Sequence, residues 1–246
     1  MMMGAPPTLV EEHRLLEQGY SIVAGLDEVG RGALAGPVAA AAVILPSGAA
    51  FTWLERVRDS KLLTEKQRDA LAPLIYRDSV SACVALASVE EIEEKGILKA
   101  TRLAMKRAVD GLNSRPQFLL IDALKLPQVK LPQKGIIRGD RLCVSIACAS
   151  IIAKVARDRL MIELDGRFPG YGLARHKGYG TGEHMDSLRS LGASPIHRRS
   201  FAPVSRVLFG LEQGVKSEIR ISKYQCKREI RPSVEGSKSE TGFHHI

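Results

Sequence analysis

The chain has few cysteines, no long apolar run and no repeat, and each shortage removes a class of protein. Its four cysteines, Cys83, Cys143, Cys148 and Cys226, form no C-x-x-C pair and no zinc spacing. Three of them lie in apolar segments, where a thiol behaves as a small buried hydrophobe, so a reducing, cytoplasmic setting is expected. No apolar stretch approaches the ~20 residues that span a bilayer, and no basic segment followed by an apolar core opens the chain. A membrane partner is therefore not expected. Internal repeats are absent. Acid is short against base: 36 Lys plus Arg face 27 Asp plus Glu, a formal charge of +9. That balance points to an anionic partner, nucleic acid first. With 246 residues, 45% of them hydrophobic, the chain can bury a substantial core without disulfides.

What is present is organised around Gly25-Leu26-Asp27-Glu28-Val29-Gly30-Arg31-Gly32. Ser21 to Leu26 reads as a buried strand that delivers two carboxylates to a glycine-rich turn. Side chains alternate faces along a strand, so Asp27 and Glu28 share one site only where regular pairing ends. Glycines admit backbone conformations closed to other residues and leave N–H groups bare for a ligand. Acids, bare backbone and a cation suit a metal-bound phosphate, although a lone Asp-Glu pair is ordinarily a solvated strand end. Gly30 to Ala35 also fits a dinucleotide fingerprint, but that motif must open a helix. Here Pro37 leads instead into Val38 to Leu45, a continuous apolar run that reads as a second strand.

Along the rest of the chain, Met1 to Pro7 reads as disordered, and Thr8-x-x-Glu11 has capping-box spacing for a short helix to about Gln18. Phe51 to Arg58 reads as a short helix. Thr64-x-x-Gln67 and Ser88-x-x-Glu91 open two further helices, the first running to about Arg77. Ser79 to Ala87 alternates Val80, Ala82, Val84 and Leu86 as a strand does. A helical stripe runs from Ile97 to Leu112, and Phe118 to Asp122 is a third apolar strand ending on an acid. Ala123 to Lys134 reads as a loop, and Ile136-Ile137 as a brief apolar piece before Gly139-Asp140. Ser145 to Arg167 is the longest helix, on which Arg157-Asp158-Arg159 has the look of a surface charge cluster. Thr181 caps a helix ending at Leu191, with Gly192 as its stop. Residues 216–246 carry few apolar residues and an excess of base, as a flexible basic tail would.

Asp27-Glu28, Asp122 and Asp140 thus end separate segments, two of them apolar strands that one sheet could bring side by side. Such carboxylates repel unless protonated or neutralised by cations. An all-oxygen set points to Mg²⁺ or Mn²⁺, and two such ions can clamp an in-line displacement at phosphorus. In a basic protein the best chemical reading is phosphodiester hydrolysis.

Asp27-Glu28-Val29-Gly30-Arg31-Gly32, Asp59-Ser60-Lys61-Leu62, Ile121-Asp122, Gly139-Asp140, the run from Ala149 to Asp158, His176 to Thr181 and His197 to Phe201 resemble, in order, bacterial ribonuclease HII. The resemblance covers roughly 21–204. It implies an α/β fold: a ribonuclease-H-like mixed β-sheet flanked by helices, with a C-terminal helical extension. The implied activity is endonucleolytic hydrolysis of RNA in RNA–DNA hybrids and nicking at ribonucleotides embedded in duplex DNA. Asp27, Glu28, Asp122 and Asp140 match the catalytic, metal-binding acids for Mn²⁺ or Mg²⁺. Gly30, Arg31 and Gly32 match the segment reading the ribose 2′-hydroxyl, Tyr179 the residue sensing the ribonucleotide–deoxyribonucleotide junction, and Lys61 a lysine near substrate phosphates. Asp158 matches an acid in a supporting role. Ala123 stands where glycine is common, Arg138 where lysine is usual, and Cys148 where alanine is usual. The expected organisation is an N-terminal extension (1–18), a catalytic domain (19–210) and a basic tail (211–246) open to a protein partner, in a cytoplasmic monomer. The competing reading is a catalytically inactive nucleic-acid-binding protein.

Overall fold

The computed structural model describes residues 6–210; the proposed tail, Cys226 and Met1 to Ala5 lie outside them. Two apolar runs pair first. β1 (Val23–Val29) and β2 (Val38–Ile44) are antiparallel, and β3 (Ser81–Ala87) continues antiparallel on β2. On its other side β1 pairs in parallel with β4 (Phe118–Asp122), and β4 in parallel with β5 (Gln133–Ile136). The result is a five-stranded mixed sheet of order β3-β2-β1-β4-β5.

Helices cover both faces. α1 (Val10–Glu17) precedes the sheet, and a 3-10 turn spans Thr52–Arg56. α2 (Glu65–Asp78), α3 (Val89–Lys95) and α4 (Ile97–Asp110) follow. α5 (Gly139–Leu142) leads into the long α6 (Val144–Arg167). α7 (Leu173–His176), α8 (Gly182–Leu191) and α9 (Ala202–Gly210) complete the described residues. β2 is buried along its whole length, and its four consecutive alanines let helices approach from either side. Ala41 and Val43 face α2 and α6, while Ala40, Ala42 and Ile44 face α3 and α4. α6 is buried on every side from Val144 to Ala153, so no amphipathic stripe marks its first half. It crosses β1 so closely that a Cβ on Gly25 would run into the Ser145 backbone.

Several sequence expectations need correction. The first strand runs on through Asp27 and Glu28 to Val29, because β2 keeps pairing with it there. β5 begins at Gln133, inside the expected loop: its sequence Gln-Lys-Gly-Ile has no alternation, and pairing with β4 makes it a strand. The segment at Phe51 forms a 3-10 turn rather than an α-helix. Thr8 does not cap α1; it bridges to Cys143, and Glu11 bonds Lys134 instead. Pro7 is buried, not disordered. The capping boxes at Thr64 and Ser88 form as read, and so does the Thr181 cap.

Candidate active site

Pairing of β1 with β4 stops at Leu26 and Ile121, so Asp27 and Asp122 follow as neighbours at the C-terminal ends of two parallel strands. Crevices at that end of a parallel sheet are where ligands settle. Both acids lie on the face covered by α6, with Gly25 and Leu120. Strand alternation starts the Glu28 side chain from the opposite face of β1, yet its carboxyl still feels the charges of Asp122 and Lys61; the expectation that pairing lapses here holds only on the β4 side. Asp140 arrives on α5, fixed by the Gly139 N–H, which donates to Asp122 Oδ1 at 2.7 Å. Lys61 Nζ stands 3.7 Å from Asp140 Oδ2.

These groups share one electrostatic field. Burial holds the Asp27 carboxyl well above the ordinary carboxylate range, and the charges of Glu28 and Asp122 push the same way. Burial also raises Glu28, with Asp122 adding and Arg31 opposing. Asp140 is raised by burial, then by Asp59 and Asp122. For Lys61 burial acts downward, but the charges of Asp140, Asp59, Asp27 and Asp122 win and raise it. Asp122 therefore acts on each of the other three acids.

Among the described residues no three His, Cys, Asp or Glu side chains form a ready-made ion site. Each acid is turned to a protein donor: Asp27 Oδ1 accepts from the Glu28 N–H at 2.7 Å, and Glu28 Oε1 meets Arg31 Nη1 at 2.9 Å. The set still fits a hard divalent ion. Its donors are all oxygen, and Glu28 Oε2 is buried with no hydrogen-bond partner, an atom an ion would satisfy.

The turn after β1 is built around two arginines with no exposure at all, Arg157 and Arg198. Arg198 donates to Arg31 O at 2.9 Å and twice to Gly36 O. Arg157 donates to Pro37 O, Ala35 O and Lys177 O. Gly30 has φ +90°, and a Cβ there would collide with the Arg157 guanidinium. Gly32 is different: a Cβ there meets nothing within 4 Å. Tyr179 follows Gly178, whose carbonyl accepts from the Leu34 N–H at 2.8 Å, and its ring lies 5.6 Å from the Arg157 guanidinium and 5.9 Å from Lys154 Nζ. The tyrosine and the glycine turn are thus one substructure.

A family model for ribonuclease HII matches residues 24–204. The chain belongs to the ribonuclease HII family. A ribonuclease HII of Dehalococcoides mccartyi is 57% identical over 198 residues, spanning 80% of this chain and 94% of that protein. One of Desulfitobacterium hafniense is 58% identical over 200 residues, 81% of this chain and 76% of the relative. The fold matches ribonuclease H2 of Pyrococcus horikoshii OT3 with TM-score 0.66 at 23% identity, over 78% of this chain and 100% of that one. A Bst-RNase HIII structure in complex with Mn²⁺ matches with TM-score 0.59 at 20% identity, over 80% and 73% of the two chains.

As a ribonuclease HII the protein is a metal-dependent endoribonuclease acting on RNA–DNA hybrids and on ribonucleotides embedded in DNA. The inactive-binder reading and the dinucleotide reading are set aside. The three non-glycine residues with positive φ among those described are Ala123, Arg138 and Lys177, at +49°, +57° and +52°. Ala123 follows Asp122, Arg138 precedes Gly139-Asp140, and Lys177 precedes Gly178-Tyr179. A left-handed alanine beside Asp122 explains why glycine is common there; the side chain costs about 1 kcal/mol or more.

The resemblance gave Asp158 a supporting role, but sequence reading missed the other supports. Arg157 and Asp158 are buried, not a surface cluster, although Arg159 pairs with Asp69 at the surface. Asp158 accepts from Lys154 at 2.7 Å and pairs with Arg68 at 3.5 Å, and Arg68 donates to Ser60 O and Leu63 O. Asp158 thereby steadies the loop that carries Lys61. Asp59 fixes the same loop, accepting from Lys61 N and from Arg141 Nε, each at 3.0 Å.

A histidine chain was also missed. The Ser194 N–H donates to His197 Nδ1, so His197 carries its proton on Nε2, 3.0 Å from His184 Nε2; His184 Nδ1 in turn donates to Tyr179 O at 2.9 Å. The chain works only with both rings neutral. Burial lowers His197 to about 4, with the nearby His184 contributing. The unfolded chain therefore takes up a proton near pH 6.5 that the folded chain refuses until about 4. The stability this neutral ring contributes is complete above pH 6.5 and is lost as pH falls toward 4. His197→Gln should flatten the decline of stability between pH 6.5 and 4 by on the order of 3 kcal/mol. Denaturant melts of both proteins at closely spaced pH values check this.

Proposed function

We propose that Asp27, Glu28, Asp122 and Asp140 hold two divalent ions, Mg²⁺ or Mn²⁺, and that this is the site of phosphodiester hydrolysis. The observation carrying this reading is the grouping of three raised carboxyls, Asp27, Glu28 and Asp140, around Asp122, whose charge acts on all of them, with a buried Glu28 oxygen left without a partner. Ions bound there would supply an activated water and stabilise the leaving oxygen. The protein's own residues do the placing. Gly30, Arg31 and Gly32 present backbone to the ribose 2′-hydroxyl, the group that separates RNA from DNA. Tyr179 packs at the sugar of the junction nucleotide, and Lys61, whose side chain is 79% exposed, meets a substrate phosphate. Free thiols at Cys83, Cys143 and Cys148 suit a reducing cytoplasm.

The test is cleavage of a labelled duplex with one ribonucleotide in Mg²⁺, Mn²⁺ or EDTA, paired with a binding readout. The three raised carboxyls favour the protonated folded state, so their contribution is best below pH 4 and worsens as pH rises through their folded values. An ion in the site relieves that repulsion. Mn²⁺ should therefore stabilise the fold by RT ln(1 + [L]/Kd) at each pH, with the smaller Kd at pH 8, so the melting temperature rises more at pH 8 than at pH 5. The same shift at both, or none, would remove the ions from these acids.

A further inference from the structure

Arg157 is the feature the site chemistry leaves unused. It sits on α6, is wholly buried, and finds no carboxylate among the described residues: its neighbour Asp158 is committed to Lys154 and Arg68. A buried cation without a counter-ion is costly unless its hydrogen bonds are met, and here three carbonyls meet them. Two, Ala35 O at 3.1 Å and Pro37 O at 3.0 Å, belong to the chain leaving the glycine turn. The third, Lys177 O at 2.9 Å, belongs to the loop that carries Tyr179. Its aliphatic and guanidinium atoms fill the space a Gly30 side chain would need, and its plane lies beside the Tyr179 ring. One rigid fork therefore touches Gly30 and Tyr179 and ties the backbone of both segments.

We propose that Arg157 is a positioning and specificity-determining residue, holding the Gly30-Arg31-Gly32 turn and Tyr179 at the spacing that recognises a single ribonucleotide. This rests on the roles proposed above for the turn and Tyr179. A lone ribonucleotide offers one register and one 2′-hydroxyl, so both elements must meet it together. A long hybrid offers many registers and tolerates an error in their spacing. Arg198 braces the turn from behind through Arg31 O and Gly36 O, but has no carbonyl of the tyrosine loop among its partners. Of the two arginines only Arg157 couples the segments, beside the backbone bond from the Leu34 N–H to Gly178 O.

Arg157→Lys keeps the charge and removes the planar fork. The measurement is the ratio of kcat/KM on a duplex with one embedded ribonucleotide to that on a long hybrid, alongside Mn²⁺ affinity by calorimetry. The ratio should fall about tenfold or more, as expected for a misplacement smaller than the 1 Å that costs about 10²-fold, with Mn²⁺ affinity within about twofold. In a Tyr179→Ala background the same substitution should no longer change the ratio. An equal fall on both substrates would make Arg157 a purely structural arginine and overturn the proposal. If Arg157→Lys does not fold by circular dichroism, Gly178→Ala replaces it: Gly178 has φ +81°, and a Cβ there would lie 2.6 Å from Ala35 O. That change moves the loop off the turn while leaving the guanidinium in place, and an unchanged ratio would overturn the proposal as well. A ratio that falls in Tyr179→Ala but not in Arg157→Lys sinks this inference and spares the reading of Tyr179. A ratio unmoved in Tyr179→Ala sinks that reading, and the coupling with it.

Discussion

Asp122→Asn is expected to slow nicking at an embedded ribonucleotide by on the order of 10³-fold, the scale seen when one preorganised electrostatic group is lost, while substrate affinity holds or rises. The substitution is nearly isosteric and local structure should survive it, since an amide oxygen can still accept the Gly139 N–H that Asp122 Oδ1 accepts now. What changes is the second oxygen, which becomes an NH₂ that cannot ligate a cation. Asp122 is also the acid whose charge bears on Asp27, Glu28 and Asp140 alike, so its loss weakens the field that would draw ions in. Affinity for the duplex rests mainly on Lys and Arg contacts to phosphates, and removing a negative charge does not harm those. Nicking rates under saturating Mn²⁺ and filter binding of an uncut duplex separate the two effects. Near-wild-type nicking would take Asp122 out of the mechanism.

How much of this was legible in the sequence divides along a physical line. Apolar runs and caps are local, so β1, β2, β4, α6 and the capping boxes of α2 and α3 could be read directly. β5 could not: Gln133 to Ile136 has no strand pattern of its own and is a strand only because β4 pairs with it. The acids were readable because each ends a segment beside glycine or a loop. Apart from Asp158, their supports were not. Arg157 and Arg198 look like surface bases in a one-dimensional text, and only the fold shows that backbone carbonyls enclose them. His184 and His197 are likewise ordinary in sequence, and their pairing joins a helix to a loop 13 residues further on. Ala123 shows the reverse case. The departure from glycine was visible in sequence, but its left-handed φ, and therefore its cost, was not.

Gly30 and Gly32 flank the same arginine, yet alanine at each should fail or succeed for opposite reasons. At Gly30 the backbone is left-handed, with φ +90°, which costs a side-chain-bearing residue about 1–2 kcal/mol. The new methyl would also strike Arg157, whose guanidinium cannot retreat without giving up Ala35 O, Pro37 O and Lys177 O. The turn must therefore move. Gly30→Ala is expected to lower the melting temperature and to cut activity on a single embedded ribonucleotide about 10²-fold or more, the scale of a 1 Å misplacement. At Gly32 neither cost exists: φ is not in the left-handed region, and a Cβ meets nothing within 4 Å. Gly32→Ala should melt with the wild type. Any loss of activity it shows then has one origin, a side chain standing where the ribose and its 2′-hydroxyl approach bare backbone. Thermal melts and kcat/KM on the embedded substrate, measured for both variants, decide the matter. A stable Gly32→Ala enzyme with full activity would mean that the sugar does not lie against this part of the turn, and 2′-hydroxyl recognition would have to be sought at Gly30 and Arg31 alone.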